Sequence, residues 1–225
     1  MKVSYQWVQR HIEEPLPSPE IITETIIFHA FEVESVTPVE GDTIFDIKVL
    51  PDRAHDCLSH RGIARELCGL LGLTLKTPSY PPISFPPAGP DIQMKIEIQT
   101  DICRRYLAIQ LDGVRVGPSP EWLVQALTSV GQRSINNIVD ITNYVLLDRG
   151  QPVHAFDTQK IDGGIVVRPA HEHEKITTLS DEEKQLSPEM VVIADYLAPL
   201  AIAGVKGGKN AEVTTETTSL ILEIA

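Results

Sequence analysis

Between Thr77 and Pro90 the chain reads TPSYPPISFPPAGP, a stretch that holds six of its 17 prolines. Proline fixes its own φ and brings no backbone N–H, so such a run supports neither a helix interior nor a central strand. It is extended and stiff. Any packed structure must therefore be built on either side of it. This predicts one domain over residues 1–76, a linker over 77–90 and a second domain over 91–225. A chain of 225 residues can carry two such cores.

Composition narrows the class. Hydrophobic residues make up 42% and charged residues 22%, ordinary for a soluble globular chain, and no apolar run reaches the length of a membrane span. The opening MKVSYQWVQRHIEE lacks the apolar centre of a secretory signal. Cys57, Cys68 and Cys103 are odd in number and far apart, which fits reduced thiols in a cytoplasmic protein better than a disulfide framework. The formal net charge of −12 gives no general attraction for phosphate. A grip on nucleic acid must come from one local site or from another chain.

Periodicity supplies the elements. Ser18 and Pro19 stand where an N-cap and a first-turn proline belong, and Ile22, Ile26 and Ile27 follow at helical spacing. TIFDIKVLP alternates Ile44, Asp46 and Lys48 with Phe45, Ile47 and Val49, as a half-buried strand does. In PDRAHDCLSHRGIARELCGLLG, Ile63, Leu67, Leu70 and Leu71 share a helical face that stops at Gly72. Past the prolines, MKIEIQT and YLAIQLDGVRVG read as strands. PSPEWLVQALTSVG reads as a helix capped by Ser119, with Pro120 in its first turn and Trp122, Leu123, Ala126, Leu127 and Val130 as the buried stripe. GGIVVRP, EKITTLS and EMVVIADY are further strands, and the sequence stops inside a last one, SLILEIA. An uncapped apolar strand at the end predicts a chain cut short.

Four groups of residues invite a chemical reading. HDCLSH places His55, Cys57 and His60 close together, but zinc needs a fourth ligand or a water, and Asp56 or Ser59 as an N-cap explains the polar residues more simply. No metal site is expected there. AIAGVKGGKN carries Gly204, Gly207 and Gly208 without the spacing or the Lys-Ser/Thr ending of a phosphate loop. It reads as a tight turn or as a place where backbone approaches a ligand closely. Glu223 interrupts SLILEIA on the same face as Ile221, so a carboxylate points where a hydrophobe would be expected. His154, in QPVHAFD, is either a satisfied core histidine or a residue aimed at a substrate.

Taken together, VLPDRAHDCLSHRGIARELCGLLGL, YLAIQLDGVRVGPSPEWL, RSINNIVDITNYVLLDRGQPVHAFD, PLAIAGVKGG and SLILEIA resemble the N-terminal part of the β subunits of bacterial phenylalanyl-tRNA synthetases. The likeness runs in order along nearly the whole chain. It implies an α+β protein: a small helical, winged-helix-like N-terminal domain followed by a mixed α/β editing domain that is incomplete at its C-terminus. In many relatives an oligonucleotide-binding-like module interrupts the first domain, and VEGDTIFDIKV leaves no room for it here.

The resemblance also implies a function. It places Arg133, Asn143, His154, Gly204, Gly207 and Glu223 in a pocket that hydrolyses tyrosine wrongly esterified to phenylalanine tRNA. His154 and Asn143 would position the water or the terminal adenosine, Glu223 would read the tyrosine hydroxyl, and Arg133 would hold the pocket or the tRNA end. Amides near Gly204 and Gly207 would face developing negative charge. The implied partners are the α subunit and phenylalanine tRNA, in an α2β2 heterotetramer at full length, with no membrane. No cofactor belongs to this chain, and ATP and magnesium belong to the complete αβ enzyme. The competing reading is a non-catalytic scaffold that orients tRNA.

Overall fold

The structure, a computed structural model, describes residues 1–82 and 94–225. The chain divides into two compact units, one built from residues 1–81 and 118–152, the other from 82–117 and 153–225. This grouping differs from the division into 1–76, 77–90 and 91–225. Residues 118–152 pack with the N-terminal stretch, and most of the expected linker lies outside the described residues.

The first unit contains β1 (Lys2–Ser4), α1 (Tyr5–Gln9), α2 (Pro19–His29), β2 (Glu32–Val39), β3 (Asp42–Lys48), α3 (Ala54–Cys57), α4 (His60–Leu71), α5 (Glu121–Ser129) and α6 (Asn137–Arg149). Its antiparallel sheet has the order β1-β3-β2. Val3, Val8, Ile22, Ile26, Phe45, Ile47, Ile63 and Leu67 form the core between sheet and helices. Ile27 and Leu70, expected on buried faces, turn outward, because the apolar stripe of each helix is narrower than its sequence. Ser59 caps α4 by accepting the Gly62 N–H at 3.0 Å, and Gly72 ends it in the left-handed conformation.

Helices α5 and α6 join this unit through a second cluster of Trp7, Ala126, Val130, Tyr144 and Leu147. Trp122, expected in the buried stripe of α5, is instead about half exposed and meets Tyr144 edge-on at 5.4 Å. Ser119 does not cap α5; its hydroxyl donates to Asp140, which is fully buried. The strongest tie is polar. Asp148 on α6 accepts from Trp7 Nε1 at 2.7 Å and sits 2.7 Å from His11 Nε2. Burial pushes the Asp148 carboxyl upward, but the bonds from His11 and Trp7 outweigh it and hold the group below the usual range.

The second unit is almost all strand: β4 (Lys95–Ile98), β5 (Leu107–Asp112), β6 (His154–Asp157), β7 (Gly164–Pro169), β8 (Lys175–Thr177), β9 (Glu183–Gln185), β10 (Val191–Ala194), β11 (Pro199–Ile202), β12 (Lys206–Gly207) and β13 (Ser219–Ile224). Five strands form one sheet in the order β12-β11-β10-β7-β4, with β4 parallel to β7 and the other pairs antiparallel. A three-stranded antiparallel sheet has the order β5-β13-β6. Between the two sheets lie Phe156 and Ile221 from the smaller one and Ile165, Val167, Ile193 and Leu200 from the larger. Val192 and Ala194, which alternate with Ile193, bury the opposite face of the larger sheet with Ile176 and Leu186. A sheet covered on both faces explains why GIVV and VVIA are continuous apolar runs. The chain is thus mixed α and β with several sheets. Among the described residues no helix is long and apolar enough to cross a membrane.

Candidate functional site

The site is set by the register of β13. Pairing places Glu223 directly opposite His154 of β6 on one side and Ala108 of β5 on the other. Directly opposed residues point to the same face, with Cβ atoms about 5 Å apart. That face also carries Phe156 and Ile221, so Glu223 and His154 are directed between the two sheets. A slip of one residue would throw the carboxylate onto the other face. The register is held at the far end of β6, where buried Asp157 accepts from the Thr217 hydroxyl at 2.7 Å and from the Gln159 N–H at 3.0 Å.

Glu223 is 8% exposed, and its carboxyl makes no hydrogen bond or ion pair among the described residues. Burial alone raises its pKa from the ordinary 4.5 to about 7. The His154 imidazole also makes no hydrogen bond among the described residues, and burial pushes its pKa down. Its ring stands edge-on to Phe156 at 4.6 Å. The histidine therefore keeps a neutral ring with a free lone pair at neutral pH, beside a carboxyl poised between its two protonation states.

The glycines separate into two roles. Gly207, on the edge strand β12, brings its backbone against His154: a Cβ there would lie 2.6 Å from Cε1 and 3.0 Å from Nε2. Only glycine admits that approach. Gly204 has φ of +69°, and a Cβ on it would meet nothing within 4 Å, so it serves the turn between β11 and β12. The structure thus brings together His154, Gly207 and Glu223 from the expected set. Arg133 and Asn143 belong to the first unit: Arg133 is exposed in the loop after α5, and Asn143 is half-buried on α6.

One residue of this face was not singled out by sequence. Tyr106, just before β5, alternates with Ala108 and is 7% exposed within the same core cluster. Among the described residues its hydroxyl is the one side-chain polar atom wholly cut off from solvent and without a hydrogen-bond partner. An aromatic at the start of YLAIQLD looks like any core tyrosine in sequence, so only the orphaned hydroxyl reveals it.

His55, Cys57 and His60 go separate ways. His55 lies in solvent, and the Cys57 sulfur accepts from Arg53 Nη2 at 3.0 Å. His60 is fully buried, stacked on Trp7 at 3.9 Å between ring centroids. Its Nε2 accepts the Ser4 N–H at 3.1 Å, and its Nδ1 lies 2.8 Å from the Leu147 carbonyl. Among the described residues no group of His, Cys, Asp or Glu is arranged to hold a metal ion.

Comparison with known proteins gives the family. The model of the B3/4 domain matches residues 102–225. The phenylalanine–tRNA ligase beta subunit of Rhodopirellula baltica is 38% identical over all of this chain, which covers 33% of that protein. The corresponding subunits of Moorella thermoacetica and Geobacter metallireducens are 46% and 47% identical over 82% of this chain, which covers 23% of each. The chain therefore spans between about a quarter and a third of the length of these curated relatives. A solved N-terminal fragment of the phenylalanyl-tRNA synthetase beta subunit from Pyrococcus horikoshii matches all of this chain and 67% of that one at 18% identity, with a TM-score of 0.49. That likeness is too low to bear on the fold. The chain belongs to the B3/4 domain family and is similar, over most or all of its length, to part of the phenylalanine–tRNA ligase beta subunits named above.

Proposed function

We propose that this chain carries the editing site of a phenylalanine–tRNA ligase β subunit, which hydrolyses tyrosine esterified to phenylalanine tRNA. The observation that carries the reading is Glu223, a buried carboxyl without a partner among the described residues, set opposite His154 and facing between two sheets. A buried carboxyl with nothing to bond is costly to keep, and a ligand hydroxyl that donates to it removes the cost. Tyrosine offers that hydroxyl and phenylalanine does not. Selectivity at a synthetic pocket is weak for an added hydroxyl, whereas a site built to bond it rejects the analogue lacking it strongly.

The chemistry is ester hydrolysis. Water adds to the ester carbonyl, the bond between that carbon and the ribose oxygen breaks, and a proton ends on the ribose oxygen. Tyrosine and free tRNA are the products. Neutral His154 accepts a hydrogen bond from the water or holds the terminal adenosine. The Gly207 backbone beside it is near enough for an amide to face the developing negative charge. To Arg133 the reading assigns holding the tRNA end, and to Asn143 positioning water or adenosine. Residues 1–76, which include the three-stranded sheet and α4, serve as the winged-helix-like domain. In this reading the working enzyme is a cytoplasmic α2β2 assembly with the α subunit, and its ATP and magnesium serve aminoacylation outside this chain.

The test is hydrolysis of Tyr-tRNA by the complete αβ enzyme. Glu223→Ala should slow it by roughly 10- to 150-fold, the loss of one charge-assisted hydrogen bond. His154→Ala should slow hydrolysis whether or not the esterified side chain carries a hydroxyl. Equal slowing of both substrates by Glu223→Ala would make the carboxyl structural, and full activity in both variants would leave the chain a scaffold.

A further inference from the structure

Three polar side chains lie on one face of the smaller sheet: His154 on β6, Glu223 opposite it on β13, and Tyr106 two residues from Ala108, which is the partner of Glu223 on the other side. Tyr106 is thus the diagonal neighbour of Glu223, a separation that aromatic side chains reach across. Both are more than nine-tenths buried, yet they are not hydrogen-bonded to each other, and neither has another partner among the described residues. Their proximity is also felt electrostatically. Burial raises the Tyr106 pKa most, and the nearby Glu223 charge raises it further. A carboxylate can only accept and a neutral phenol is free to donate, so one oxygen held between them satisfies both if it carries a proton and a lone pair.

We propose that Tyr106 is a second specificity-determining residue of this site: its hydroxyl donates to the ligand hydroxyl oxygen whose own proton goes to Glu223. The inference rests on the editing reading above and deepens it. A phenolic side chain completes both bonds at once, whereas a plain phenyl group leaves two buried polar groups unpaired. The hydroxyl is then read through its donor and through its acceptor. That excludes phenylalanine more strongly than Glu223 does alone.

The test is Tyr106→Phe, made in the complete αβ enzyme and in the 225-residue chain. In the enzyme, kcat/KM for Tyr-tRNA should fall by roughly 2- to 12-fold, the span of one neutral hydrogen bond. Hydrolysis of Phe-tRNA should not change. In a Glu223→Gln background the further loss should be smaller, because the two residues share one oxygen. In the ligand-free chain the unfolding midpoint should hold or rise, since the hydroxyl has no partner to lose among the described residues. A lowered midpoint, or equal slowing of both substrates, would make Tyr106 a structural residue and overturn the proposal. Unchanged Tyr-tRNA hydrolysis in Tyr106→Phe, with Glu223→Ala still impaired, would overturn this inference alone. Full activity in Glu223→Ala and His154→Ala would remove the editing reading beneath it.

Discussion

Glu223→Gln should stabilise the second unit at alkaline pH and leave it nearly unchanged in acid. In the unfolded chain the carboxyl releases its proton near its ordinary value of 4.5, whereas in the fold burial keeps it until about pH 7. Between those values the folded state binds more protons than the unfolded one, so stability falls as pH rises. At about 1.4 kcal/mol per pH unit, ionising Glu223 in place costs about 3 kcal/mol above pH 7. Glutamine keeps the shape and never ionises. The difference between variant and parent should therefore grow from near zero at pH 4.5 to about 3 kcal/mol at pH 8. Urea unfolding followed by circular dichroism measures it. Both tryptophans, Trp7 and Trp122, lie in the first unit, so a dichroism change without a fluorescence change reports the second. A difference that is the same at pH 5 and pH 8 would refute the argument, because it would show that the carboxyl ionises in the fold without penalty.

Other perturbations follow from the same geometry. Gly207→Ala puts a methyl group 2.6 Å from His154 Cε1, so it should cost about 1–3 kcal/mol and displace the imidazole resonances in a proton NMR spectrum. Asp148→Ala strips the shared acceptor from Trp7 and His11; a loss of about 2–5 kcal/mol should appear in urea unfolding read by tryptophan fluorescence. Burial lowers the His60 pKa from 6.5 to about 4, so the unfolded chain takes up that proton first as pH falls. The first unit should lose up to about 3 kcal/mol between pH 6.5 and pH 4, measured by Trp7 fluorescence in a Trp122→Phe background.

What was legible in the sequence was local. Alternation located β3, β4 and β13, and capping residues with a glycine stop bounded α4, because these signals act within a few residues. Glu223 stood out because a charge in an apolar strand breaks a pattern. Its exact opposite number, the carboxyl's neighbour across the sheet, was not legible from pattern: strand register is a long-range property, and His154 lies 69 positions away from Glu223 in the chain. Tyr106 was invisible for a different reason, since its oddity is a missing bond. Trp122 misled because helical spacing assigns a face but not how far the neighbouring helix covers it. The affinity of residues 118–152 for the N-terminal stretch was equally hidden, as it depends on Asp148 meeting Trp7 and His11 across the linker.

Each unit is made of two separated stretches, 1–81 with 118–152 and 82–117 with 153–225. On a ribosome the N-terminal stretch emerges with its indole and imidazole donors exposed and must wait for Asp148 before the unit can close. Closure over so long a loop is slow, and the intervening residues of the other unit must stay unassembled meanwhile. A protease cut within the proline-rich segment would then part the two stretches of the first unit while leaving the strands of the second on one piece. Two polypeptides split there and made together should find each other and rebuild the first unit, whereas residues 1–81 alone lack Asp148 and the partners of Trp7 on α5 and α6.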